Sequence, residues 1–183
     1  MKVYVDTGIL IDYLSKQALG GASLRSTARK GRDSQKLHGD AAQLLKCVAD
    51  DHEGATSCFT YYELEEALHK RWEAEAKGVV NAAALRVLAA RSIMPQAAMV
   101  ILFFQLKVLD LTAAIVAEQL NHTAVHVAGV RAADALHVTS AVVFGADIIV
   151  SADDDILQLD GQVTNSAGKQ MICTDSDGAV LVL

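Results

Sequence analysis

Apolar positions change period repeatedly along the chain, and the changes mark its elements. Val3, Tyr4 and Val5 form a short apolar run ended by Asp6, the pattern of a strand buried on both faces. Ile9, Leu10, Tyr13 and Leu14 then recur at helical spacing. Residues 17–39 break the period and read as an insertion; residues 41–48 are helical again. Residues 55–59 predict a second strand, and residues 60–77 a long charged helix. Gly78 separates that helix from an alanine-rich one reaching about residue 92. Pro95 is expected to open a further helical turn, since proline suits the first helical position. Residues 107–111 predict a third strand, followed by helices over 112–125 and 131–145. Ile148, Ile149 and Val150 form the clearest buried strand. Short strands near 171–174 and 179–183 are expected to close the chain as a hairpin over about 170–183. Its turn would be Asp175-Ser176-Asp177-Gly178. There is no internal repeat and no low-complexity tract.

Strands alternating with helices predict a parallel sheet covered on both faces, with ligands bound beyond the carboxyl ends of the strands. The whole chain, 1–183, reads as a single domain. Its 183 residues, 52% of them hydrophobic, suffice for a large core and exclude a disordered chain. Three widely spaced cysteines, Cys47, Cys58 and Cys173, exclude a disulfide-stapled fold and fit a reducing, cytoplasmic setting. The longest apolar run, residues 97–106, is interrupted by Gln105 and falls short of the roughly 20 residues of a membrane span. It is more apolar than a surface helix needs, which points to a homodimer interface or to a helix buried within the monomer. The N-terminal residues lack the apolar stretch of a signal peptide.

Charge is distributed unevenly. The formal net charge is −6, yet residues 16–36 hold six bases and one acid, net +5 against −11 for the rest. Arg25, Arg29, Lys30, Arg32 and Lys36 of this stretch are candidate contacts to a polyanion. The alternative is a solvated basic loop balancing an acidic body.

Four acids fall at the predicted carboxyl edge. Singly, each has a structural explanation. Asp6 reads as a helix N-cap, and Thr60-Tyr61-Tyr62-Glu63 as a capping box. Asp134 reads as a partner of its helix dipole, and Asp153, Asp154 and Asp155 as a solvated turn. Together, four carboxylates at neighbouring strand ends would repel one another unless cations were bound. Hard divalent ions take such oxygen ligands.

The ordered segments Val3-Tyr4-Val5-Asp6-Thr7, Ser57-x-x-Thr60-x-x-Glu63-Leu64, Arg131-x-x-Asp134-Ala135-Leu136-His137 and Ile149-Val150-Ser151-x-Asp153-x-Asp155 cover nearly the whole chain. In this order they resemble the PIN-domain nucleases, and among them the VapC-type toxin ribonucleases. The resemblance implies a three-layer α/β/α sandwich on a central, mainly parallel five-stranded sheet. It implies cleavage of RNA phosphodiesters with one or two Mg²⁺ or Mn²⁺ ions, and an antitoxin protein as partner. By position, Asp6, Glu63, Asp134 and Asp153 would be the catalytic metal-site acids. Thr7 and Ser151 would be supporting hydroxyls and Asp155 a supporting acid. The chain departs from the family at Gly8, where an Asn usually follows the Asp-Thr pair.

Two other classes compete. A PIN fold that binds RNA or assembles without cleaving it would explain Gly8. A phosphohydrolase of haloacid-dehalogenase type also has an Asp at the first strand end, but needs a second Asp where Gly8 stands. His122 and His126 have i,i+4 zinc spacing but no completing ligands, and His137 reads as a packing or hydrogen-bonding residue. No G-x-S-x-G, G-x-G-x-x-G or Walker A sequence is present.

Overall fold

A computed structural model of the chain describes residues 1–15, 28–75 and 77–183. Five strands, β1 (Lys2–Val5), β2 (Glu53–Ser57), β3 (Lys107–Leu109), β4 (Ile148–Val150) and β5 (Ile172–Thr174), form one sheet in the order β3-β2-β1-β4-β5. Every pairing is parallel, with Val3 beside Gly54 on one side and Ile148 on the other. The connecting helices are α1 (Thr7–Leu14), α2 (Ser34–Asp51), α3 (Phe59–Glu75), α4 (Ala82–Phe103), α5 (Ala113–Glu118), α6 (Thr123–Val127), α7 (Ala132–Phe144), α8 (Asp154–Leu157) and α9 (Ser176–Val182).

Alternation along each strand sends successive side chains to opposite faces. Val3, Val5, Ile148 and Val150 pack with Leu10, Leu44, Leu45, Ala97, Ile101 and Ala179 from α1, α2, α4 and α9. Tyr4, Ala55, Ile149 and Cys173 pack on the other face with Val125, Val138, Ala141 and Ile156 from α6, α7 and α8. The result is the expected α/β/α sandwich. Strand order runs outward from β1 to β3, then resumes on the far side at β4. The crevice of such a sheet lies where the order reverses, here between the carboxyl ends of β1 and β4.

The C-terminus differs from its expectation. Residues 176–182 form α9, not a hairpin arm: Asp175 caps the helix through the Ser176 N–H at 2.6 Å, and Ala179 is buried in the core. An Ala-Val-Leu-Val-Leu run is too short to separate the two periods, and the capping aspartate decides for the helix. Pro95 lies inside the 22-residue α4 and opens no new turn. Gly78, at φ +85°, does separate α3 from α4. The irregular stretch ends earlier than expected, because Asp33 caps α2 through the Lys36 N–H at 2.8 Å. Residues 97–106 divide: Ala97, Val100, Ile101, Phe104 and Leu106 are buried in this chain's own core, while Met99, Leu102 and Phe103 are exposed. Helix α4 has the length and apolar composition to cross a membrane, alone among the described helices; its buried residues face this domain's core.

Candidate functional site

Asp6 leaves β1 at the reversal point. Its N–H donates to the Val150 carbonyl at 3.0 Å, continuing the β1–β4 ladder by one bond. One carboxylate oxygen accepts the Thr7 N–H at 2.8 Å, capping α1, and the other accepts the Ser151 hydroxyl at 2.7 Å. The Ser151 hydroxyl in turn accepts the Asp153 N–H at 3.0 Å, and Asp153 caps α8 through the Asp155 N–H at 2.8 Å. The same residues that cap helices therefore also aim carboxylates at the crevice. The N-cap reading and the site reading of Asp6 describe one arrangement.

Glu63 sits in the second turn of α3. The capping-box reading does not hold, because α3 begins at Phe59, whose N–H donates to the Ser57 hydroxyl at 3.2 Å. The Glu63 carboxylate instead accepts the Thr7 hydroxyl and, at 2.7 Å, His137 Nε2. His137, from α7, is buried, lies 3.7 Å from Asp6 and has Nδ1 2.7 Å from the Tyr4 hydroxyl. Thr60 is also turned inward, with its hydroxyl 2.9 Å from that of Thr56.

The acids form two groups. Asp6, Glu63 and His137 make an inner one; Asp134, in the first turn of α7, joins Asp153 and Asp155 in an outer one. Within each group, donor atoms lie within 4.8 Å of one another. A cleft of about 310 Å³ runs between them, lined by Asp6, Thr7, Gly8, Glu63, Asp134 and Asp153, with Lys70 of α3 also on its wall. Gly8 is required by close approach: a Cβ there would stand 2.6 Å from that of Ala152.

The electrostatics follow from burial and like charge. Burial pushes the Asp6 carboxyl above the usual aspartate range, against the opposing pull of His137 and Ser151. Asp134 is raised to about 6 by burial and by the neighbouring charges of Asp153 and Asp6. Burial works against charge at His137 too, but Asp6 and Glu63 outweigh it and hold the imidazole above its ordinary value. Glu63 is buried enough to be raised, yet its hydrogen bond from His137 keeps it low. Asp6 and Asp134, held above their ordinary values beside other carboxylates, offer oxygen donors that fit a divalent cation. The inner and outer groups can each hold a metal ion.

The basic segment is arranged differently from its expected role. Arg29 is salt-bridged to Asp12 at 2.6 Å and to Asp175 through both guanidinium nitrogens. Arg32 reaches Asp175, Asp40 at 3.1 Å and Asp177 at 3.2 Å. Both arginine side chains are 11% exposed, so they are committed to internal carboxylates and not displayed toward a polyanion. Lys36 pairs with Asp40 at 2.8 Å and Lys30 with Asp154 at 2.7 Å; Arg25 lies outside the described residues.

His137 is the hydrogen-bonding residue that the sequence suggests, buried between Tyr4 and Glu63, whereas Tyr4 and Arg131 were given no role by sequence although they lie in the matched segments. The signal for His137 was its place three residues after Asp134, one helical turn away on the same face. No family model, no curated protein and no solved structure matches this chain.

Proposed function

We propose that the chain is a PIN-type, metal-dependent endoribonuclease that hydrolyses phosphodiester bonds in RNA. One observation carries the reading: carboxylates from four separate segments, Asp6, Glu63, Asp134 and Asp153, line one cleft at the strand-order reversal. These four would hold Mg²⁺ or Mn²⁺, as one or two ions. When bound, the ion supplies a Lewis acid that acidifies water and offsets phosphate charge. Thr7 and Ser151 fix the carboxylates of Glu63 and Asp6 by hydrogen bonds, and Asp155 adds charge beside Asp153. The nucleophile in this reading is water, attacking in line as the phosphorus–oxygen bond to the leaving ribose breaks. A toxin role with an antitoxin partner, a cytoplasmic setting and a homodimer through Met99, Leu102 and Phe103 belong to the same proposal.

The test is incubation of the purified chain with single-stranded RNA, with Mg²⁺ or Mn²⁺ and then with excess chelator. Cleavage is expected only with metal, and only while Asp6 is intact. Metal binding without cleavage would support the second reading, a PIN-fold module that binds RNA. Gly8 favours that alternative, since the position has no room for the side chain carried by the family it resembles.

A further inference from the structure

Basic side chains near the acids are held differently: Lys70 on the cleft wall pairs with Glu66 at 2.9 Å, and Lys30 with Asp154 at 2.7 Å. Arg29 and Arg32 are buried among carboxylates at hydrogen-bonding distance. Arg131 is not: its side chain is 76% exposed, and its guanidinium lies 3.6 Å from Asp155, 3.9 Å from Asp134 and 3.9 Å from Asp153. These are the three acids of the outer group, and every distance exceeds a hydrogen bond. Arg131 stands at the N-cap of α7 but makes no capping hydrogen bond with its side chain. Its contacts to these acids are ion pairs, and exposed pairs of this kind are weak and easily broken.

We infer that Arg131 is an exchangeable counter-cation: it neutralises the outer carboxylates until a divalent ion takes them, then turns to a phosphate of the RNA strand. Its first half stands without the nuclease reading; its second half rests on that reading. A divalent ion carries twice the charge of a guanidinium and approaches carboxylate oxygen to about 2.0–2.6 Å, so it takes the oxygens. The displaced guanidinium stays at the rim of a cleft that Asp134 and Asp153 line. Its planar fork matches phosphate oxygens, which the acidic cleft alone would repel. The step is an exchange of ion pairs, with no covalent bond made or broken. Arg131 thus binds the RNA strand directly, and it supplies positive charge that Arg29 and Arg32 cannot.

Calorimetric titration of the full chain with Mn²⁺, without RNA, tests the first half. Arg131→Ala should bind Mn²⁺ about two- to fivefold more tightly than wild type, the range an exposed ion pair corresponds to. Arg131→Lys, which keeps the charge, should stay near wild type. Unchanged or weaker Mn²⁺ binding by Arg131→Ala overturns the assignment. Fluorescence anisotropy with a single-stranded oligoribonucleotide, Ca²⁺ replacing Mn²⁺, tests the second half. Arg131→Ala should bind more weakly, with a salt slope smaller by about 0.7. An unchanged slope and affinity overturn the phosphate contact. A chain that cleaves no RNA yet shows the tighter Mn²⁺ binding refutes the nuclease reading and keeps the counter-cation. A chain that cleaves RNA with no Mn²⁺ difference does the reverse.

Discussion

Among the described residues, two groups of aspartates are compensated in opposite ways. At the base of α9, Asp12, Asp40 and Asp175 are met by Arg29 and Arg32 from the chain itself. Burial would raise Asp175, but its hydrogen bonds from Arg29 hold the carboxyl below its ordinary value. In the cleft, Asp134 is raised to about 6, and Arg131 stays 3.9 Å from it and exposed. Equal residue types therefore give a closed structural lock in one place and an open, cation-seeking site in the other. What separates the lock from the outer group, Asp134, Asp153 and Asp155, is whether an arginine of the chain comes to bonding distance; in the inner group His137 does so at Glu63.

The largest expected effect comes from opening the lock. Arg29→Ala leaves Asp12, whose side chain has no exposed surface, and Asp175 without that partner. Breaking a buried pair in this way should cost about 3–5 kcal/mol, read as a lower urea midpoint. A loss under about 1 kcal/mol would mean that the lock contributes little. The cleft should respond in the opposite sense. Asp6→Asn should weaken Mn²⁺ binding by at least about tenfold and abolish cleavage, while the metal-free melting temperature holds or rises. A fall in melting temperature together with intact Mn²⁺ binding would assign Asp6 to structure alone.

Acid titration separates the two groups without removing either. Asp134 has a folded value near 6 against an ordinary 3.8, so the folded state binds the extra proton between those limits. Metal-free stability should therefore rise as pH falls from about 6 to 4, and Asp134→Asn should reduce that rise, leaving the part that the raised Asp6 contributes. Asp175 is shifted downward, so its contribution is present above the ordinary aspartate value and is lost as pH falls through its lower folded value. Urea unfolding from pH 3 to 7 should show a rise and then a fall on acidification. A profile identical in wild type and Asp134→Asn would remove Asp134 from this account. The smallest effect is expected at Tyr4→Phe, which deletes the hydroxyl 2.7 Å from His137 at a cost of about 1 kcal/mol. Its Mn²⁺ affinity should shift only if the imidazole orients Glu63.

The strands, Asp6 and Asp153 were legible because each depends on local pattern, an apolar run and then a polar residue beyond its end; Glu63 and Asp134 stand instead in the opening turns of α3 and α7. Asp6 and Asp153 are recognisable from that position alone. The lock was not legible, because Arg29 and Arg32 look like a basic loop until residues 12, 40 and 175 fold around them. Their partners are distant in sequence, up to 146 positions away for Arg29 and Asp175. The α9 segment failed for a different reason: five residues of Ala, Val and Leu satisfy a strand and a buried helical turn equally. His137 was legible as a packing or hydrogen-bonding residue, but its partners Tyr4 and Glu63 are encoded by no spacing.

The parallel pairing of β1 with β4 also governs how the protein is made. Val3 pairs with Ile148, and Asp6 waits 145 positions for Ser151. At a synthesis rate of about 5–20 residues per second, the first strand spends roughly 7–30 s without its second neighbour. During that time one side of β1 presents unpaired backbone, the usual template for aggregation. Non-local pairing of this kind also folds slowly. A nascent chain shorter than residue 151 therefore holds its first acid with no crevice around it, and whatever the cleft does cannot begin on the ribosome before that residue is added.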